Sequence, residues 1–297
     1  MTPAAGRLAR WAVLPFLLSL AACETYGDPD LDAVLEELHT LPPEVSVEAA
    51  EAALAGGNLV RARQLYVSLL AANADDPRVA VGAAEVLLAS GDGPEALKVF
   101  ASVEDVEQYR AQSLQGQGLV FLSEGQLEQA GEALQAALLE DGQLWRAWNG
   151  LGRYYDSRRE WPEAANAYAK ALQSSPGSSA VVNNQGMSFM LQRRFEEAGA
   201  KFDEALRLEP TSAMARNNMR LALAWQGRYE QAVMGVDSDN ISDTLNNIGY
   251  VALLRGDYEQ AERYLSRAVD ESPTFNATAW KNLQYLDAIN KVKKRTE

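Results

Sequence analysis

The chain has 297 residues, 47% of them hydrophobic and 23% charged, with a formal charge of −14. That length allows a large core or several stacked units, and the apolar content excludes a disordered chain. The acidic balance excludes non-specific nucleic-acid binding, which needs Lys and Arg over phosphates, and a single Cys with a single His excludes an intrachain disulfide.

The N-terminus reads as an export signal. Arg7 and Arg10 form a short basic region, and Trp11 to Leu20 is an apolar run too short to span a bilayer. Leu20-Ala21-Ala22-Cys23 follows. This order of basic residues, apolar run, small residues and Cys resembles the bacterial lipobox. The resemblance implies that residues 1–22 are removed as a lipoprotein signal peptide and that Cys23 is lipidated. Each buried CH₂ adds about 0.8 kcal/mol, so a multiply acylated Cys anchors firmly to a membrane. Glu24 follows the Cys, not the Asp associated with inner-membrane retention. The resemblance therefore implies lipid anchoring at the periplasmic face of an outer membrane. Residues 23–42 read as an acidic tether, with breaks at Asp28-Pro29-Asp30 and Leu41-Pro42-Pro43 and a short acidic helix over Leu31 to Leu38. His39 lies there as a surface residue without a role.

Residues 43–275 read as an array of repeats. Trp145–Ser178 laid over Ser179–Ser212 brings Gly152 over Gly186, Tyr155 over Phe189, Ala164 over Ala198, Tyr168 over Phe202, Ala171 over Ala205 and Pro176 over Pro210, at a constant offset of 34 residues. Small, aromatic, small and Pro positions at this period are the signature of the tetratricopeptide repeat (TPR), a helix–turn–helix unit. Gly152 and Ala164 allow close helix approach, and Pro176 helps to end the unit. The same register gives units starting at 43, 77 and 111, with turn glycines Gly57, Gly91 and Gly125. In the first two, Ala50 and Ala84 stand where later units have Gly, which reads as divergence of edge units.

The sixth unit starts at 213 and fails after Met234, where Gly235-Val236-Asp237-Ser238-Asp239-Asn240 is turn chemistry in place of a continuing second helix. It is expected to bend the stack near Gly235. The seventh unit starts at 242, with Gly249, Gly256, Tyr258, Ala261, Leu265 and Pro273. Residues 276–290 form an amphipathic capping helix with Trp280, Leu283, Leu286 and Ile289 as apolar positions, and 291–297 form a basic tail. The expected fold is all-α: a TPR solenoid, a right-handed superhelix of antiparallel helix pairs, with about seven repeats plus a C-terminal capping helix.

No nucleophile with a paired base, metal-ligand cluster or Gly-rich phosphate loop stands out, so the expectation is a non-catalytic protein with no cofactor and no small-molecule substrate. The first helix of each unit lines the inner curve of such an array through positions two, five, nine and twelve, with six nearby. Asn149, Asn183, Asn184, Asn217, Asn218, Asn246 and Asn247 fall at five and six, and Asn282 falls on the capping helix. Met187, Met190, Met214, Leu221 and Tyr250 lie around them, with Trp225 one position beyond twelve. An Asn amide both donates and accepts, and Met and aromatic side chains adapt to a ligand surface, so these residues are expected to form a peptide groove. The competing reading is structural: Asn at position six and apolar residues between helices also serve packing.

The run Arg216-Asn217-Asn218-Met219-Arg220-Leu221-Ala222-Leu223-Ala224-Trp225-Gln226-Gly227-Arg228-Tyr229, the short sixth unit, and the run Asn246-Asn247-Ile248-Gly249-Tyr250-Val251-Ala252-Leu253-Leu254-Arg255-Gly256-Asp257-Tyr258 with Ser272-Pro273-Thr274-Phe275 resemble the TadD-type TPR lipoproteins of the tight-adherence (Flp) pilus system. The resemblance covers roughly the last 150 residues and the lipobox. It implies an assembly lipoprotein that binds the outer-membrane secretin or another pilus component, with no catalytic residues to carry over. An alternative on the same repeats is a lipoprotein regulator of a periplasmic cell-wall or polysaccharide-synthesis enzyme.

Overall fold

The computed structural model describes residues 45–296, with side chains described to Lys291. The signal segment, Cys23, the tether and His39 lie outside the described residues. Among the described residues the chain forms fifteen α-helices and one short 3₁₀ turn, without a strand. They divide into two compact units, parted after Ser174.

In the first unit, helices pair as hairpins. These are α1 (Val47–Ala55) with α2 (Leu59–Ala72), α3 (Pro77–Ala89) with α4 (Gly93–Ser102), α5 (Arg110–Ser123) with α6 (Leu127–Glu140), and α7 (Trp145–Ser157) with α8 (Trp161–Ser174). Several helix starts follow local chemistry. Ser46 accepts from Ala49 N at 3.1 Å, Asn58 from Arg61 N at 3.0 Å and Asp76 from Arg78 N at 2.9 Å, with Pro77 in the first turn of α3. The turn inside each hairpin needs one left-handed residue. Gly57, Gly91 and Gly125 supply it with φ of 74°, 84° and 74°, but the fourth hairpin uses Arg159 at φ 61°. An ion pair of 2.7 Å between Arg146 on α7 and Glu85 on α3 joins the fourth repeat to the second.

The second unit comprises α9 (Ser179–Leu191) with α10 (Phe195–Leu208), α11 (Ala213–Trp225) with α12 (Tyr229–Val233), α13 (Ile241–Arg255) with α14 (Tyr258–Asp270), and α15 (Ala277–Thr296). α12 has five residues. Gly235 takes φ 67°, and Asp237 Oδ1 then accepts from Asn240 N at 2.9 Å and Nδ2 at 2.7 Å, a side-chain turn that leads straight into α13. Arg255 holds the short helix in place: its Nε donates to Tyr229 Oη at 3.0 Å and Asp257 Oδ2 at 2.9 Å, and its Nη1 donates to Trp225 O. On α15, Ala279 and Leu286 are buried, with Leu283 and Ile289 packed beside them, while Trp280 is exposed near Phe275. The helix continues to Thr296, through the basic segment, and does not stop at Asn290.

One packing rule links these hairpins. In every second helix except the shortened α12, the large side chain in the middle needs a missing Cβ on a first helix. In the fourth and fifth repeats that gap is in the same hairpin: a Cβ on Gly152 would stand 2.4 Å from the Tyr168 ring, and one on Gly186 2.5 Å from Phe202. In the first two repeats the gap moves to the next hairpin: a Cβ on Gly82 would meet Tyr66 at 2.2 Å, and one on Gly116 would meet Phe100 at 2.3 Å. Ala50 and Ala84 are fully buried. The expectation that they mark edge divergence is thus corrected: the glycine has changed helix, and the packing is equally close.

Candidate functional site

The candidate site is built by first helices. Asn149 lies half-buried on α7 in the first unit. The other expected groove residues fall in the second unit, where the structure separates packing residues from exposed ones.

Asn183 is 3% exposed and Asn246 is 8% exposed. Each is paired to the next first helix. Asn218 Nδ2 donates to Asn183 Oδ1 at 2.9 Å, and Asn282 Nδ2 donates to Asn246 Oδ1 at 2.9 Å. A buried carboxamide must be paired, since an unmade hydrogen bond inside costs about 1–3 kcal/mol. These four residues therefore form two rungs of an amide ladder between successive first helices, and Asn183 and Asn246 do not belong to an open groove. Asn184 sits half-buried beside Asn183, whose Nδ2 approaches Asn184 Oδ1 and Met214 Sδ at 3.5 Å each.

Two more expectations change. Trp225 stacks on Phe195 with ring centres 5.1 Å apart and planes at 10°, which makes it a packing residue at the end of α11. Met187 and Met190 pack against the cluster of Ala198, Phe202 and Ala222, and Leu221 packs against the cluster around α13 and α14. What stays accessible is Met214 at 65%, Tyr250 at 44%, and the side chains of Asn217 and Asn247.

Asn217 and Asn247 occupy the repeat positions of Asn183 and Asn218. Among the described residues, no hydrogen bond joins them. They line a cavity of about 190 Å³ between α11 and α13, together with Arg220, Asp243, Leu221 and Ile248. The cause is the shortened sixth repeat. Arg220 stands where Gly152, Gly186 and Gly249 stand in their repeats, and the second helix that would cover it stops at Val233. Its Nη2 donates to Gly235 O at 3.3 Å and its Nε is buried without an acceptor. Burial, followed by the nearby Arg216 charge, lowers its pKa from the usual arginine value, while Asp237 opposes them. The sequence reading missed Arg220, although an arginine at a glycine position just before a truncated helix was a visible signal.

Among the described residues there is no group of three or more His, Cys, Asp or Glu side chains placed to hold a metal, and no helix is long and apolar enough to cross a membrane.

Family models described as tetratricopeptide repeat match residues 31–118, 116–179 and 242–275. Solved structures similar to the chain include a tetratricopeptide repeat protein from Parabacteroides merdae (15% identity, 84% of this chain and 98% of that one, TM-score 0.53). Another is in the Cut9–Hcn1 hetero-tetramer of the APC/C (15% identity, 89% of this chain and 54% of that one, TM-score 0.63). A third is a thermophilic TPR protein from Thermus thermophilus (18% identity, 63% of this chain and 97% of that one, TM-score 0.52). These likenesses show the fold. A comparison with curated proteins gives no match. Repeats of this kind present helix faces to other proteins rather than a reaction centre. Three matched segments that together span more than half of the chain, and a helical-hairpin architecture throughout the described residues, place this chain among the tetratricopeptide-repeat proteins.

Proposed function

We propose that this protein is a lipid-anchored adaptor that helps to assemble or localise a tight-adherence (Flp) pilus secretion apparatus. In this reading Cys23 fixes it to the periplasmic face of the outer membrane. The face carrying Met214, Asn217, Asn247 and Tyr250 binds the secretin or another pilus component. The lipobox residues and the two runs, one within the shortened repeat and one in the seventh, support the reading. The observation that carries the binding face is exposure: Met214 at 65% and Tyr250 at 44% stand beside Asn217 and Asn247, exposed rung residues that do not bond each other, on successive first helices. Large apolar side chains left exposed beside polar groups able to bond a peptide are typical of an interaction surface.

Two measurements test it. Cys23→Ser moves the protein from the membrane to the soluble periplasmic fraction with the repeats still folded; unchanged fractionation refutes the anchor. A photo-crosslinking residue at Tyr250, in cells that express the pilus secretin, yields a covalent adduct with the secretin or another pilus component. Absence of any such adduct, with the variant present at normal level, refutes the assigned partner.

A further inference from the structure

We infer that the cavity between α11 and α13 is a subsite for a carboxamide side chain, Gln or Asn, presented by the bound protein segment. The inference deepens the proposed function and rests on its reading that this face takes a protein partner.

The argument begins with the ladder. At the boundary between the fifth and sixth repeats, and between the seventh repeat and α15, one carboxamide donates to the next at 2.9 Å. At the boundary between the sixth and seventh, the equivalent pair, Asn217 and Asn247, is separated by a cavity of about 190 Å³. The repeat that should set the spacing there has a second helix of only five residues. The open rung thus keeps both of its polar ends and lacks what joins them.

A third carboxamide supplies both missing halves. Its oxygen accepts from Asn247 Nδ2, and its NH₂ donates to Asn217 Oδ1. The charged lining carries no net sign. Arg220 and Asp243 carry opposite charges, so the attraction of either one for an ion is offset by repulsion from the other, while a neutral group with one acceptor and one donor end matches the two amides without needing either charge. Leu221 and Ile248 supply apolar wall for the methylene stem. A volume of about 190 Å³ suits one side chain and is far below that of a drug-sized pocket.

The test uses the full chain in detergent, labelled with ¹⁵N-asparagine, with the Asn217 and Asn247 side-chain resonances assigned from Asn217→Ser and Asn247→Ser. Three probes are titrated: N-acetyl-glutamine methylamide, the matching glutamate and the matching norleucine. The glutamine probe is expected to shift both resonances saturably. The glutamate and norleucine probes are expected to bind about tenfold more weakly or worse, the loss that follows when paired polar groups are left without a partner. Asn247→Leu should abolish the shifts. Equal shifts with norleucine assign the effect to the peptide backbone or to apolar contact and overturn the inference. Stronger binding of glutamate makes it an Arg220 anion site and overturns it too. No shift with any probe means that the cavity takes no side chain, which also overturns it. Those failures leave the Tyr250 crosslink standing, whereas loss of the crosslink with the probe still bound removes the partner and keeps the subsite.

Discussion

Asn218 donates its side-chain amide to Asn183 Oδ1 at 2.9 Å across the boundary between the fifth and sixth repeats. Because Asn183 is buried, this bond is an obligation of the fold rather than an option. Asn218→Ala should lower stability by about 1–3 kcal/mol by leaving a buried carboxamide without its partner. Asn217→Ala, one residue away but exposed, should stay within about 0.5 kcal/mol of wild type. Denaturant unfolding of the two variants checks the contrast, and equal losses would contradict the ladder.

The 34-residue register was legible because it is a packing requirement written in residue size. Gly152 opposite Tyr168 and Gly186 opposite Phe202 announce themselves in one dimension. The doubled Asn was also visible, but its division of labour was not. Whether an Asn faces a neighbour or a ligand depends on how far apart two first helices stand, and that distance is set by the second helix between them. Asn183 and Asn217 share a repeat position, yet one is buried and the other exposed. Trp225 was misplaced for a related reason: its stacking partner Phe195 lies 30 positions earlier in the chain and belongs to a different repeat.

The migrating glycine gives a second prediction. Gly82→Ala and Gly152→Ala should each destabilise by about 1–3 kcal/mol, since each adds a Cβ inside the contact distance of a buried ring. Gly142→Ala serves as the control, because a Cβ there meets only Leu138 O at 3.8 Å. Thermal melts should rank Gly142→Ala near wild type and the other two well below it. A neutral Gly82→Ala would show that Tyr66 does not need the neighbouring hairpin's gap.

The turn residues predict gains. Arg159 and Arg193 both hold φ 61°, a conformation that costs a side-chain-bearing residue about 1–2 kcal/mol. Glycine removes that cost but adds about 0.5–1 kcal/mol of unfolded-chain entropy. Arg159→Gly and Arg193→Gly should therefore each stabilise by about 0.5–1 kcal/mol, read as a higher midpoint in denaturant with an unchanged slope. A lower midpoint for either would reveal that the arginine side chain contributes more than its backbone costs.

Alkaline pH probes the burial of Tyr66. Its ring is almost wholly buried under the gap left by Gly82. Burial first, and then the Glu51 carboxylate, push its hydroxyl from the ordinary value of 10.0 up to about 12, against the pull of Arg78. The neutral phenol is the form that the fold accepts. Below pH 10 both the folded and unfolded chains keep the proton, and the contribution to stability is complete. As pH rises from 10 to about 12 the unfolded chain ionises first, and stability falls through that window. A shift of two units corresponds to about 3 kcal/mol at most. Tyr66→Phe has no proton to lose, so its stability should decline less than wild type over the same interval, with the two curves separating above pH 10. Unfolding free energies measured at half-unit steps test this. Curves that stay parallel would mean that Tyr66 ionises in the folded chain as readily as in water, which is incompatible with a buried ring packed against a neighbouring hairpin.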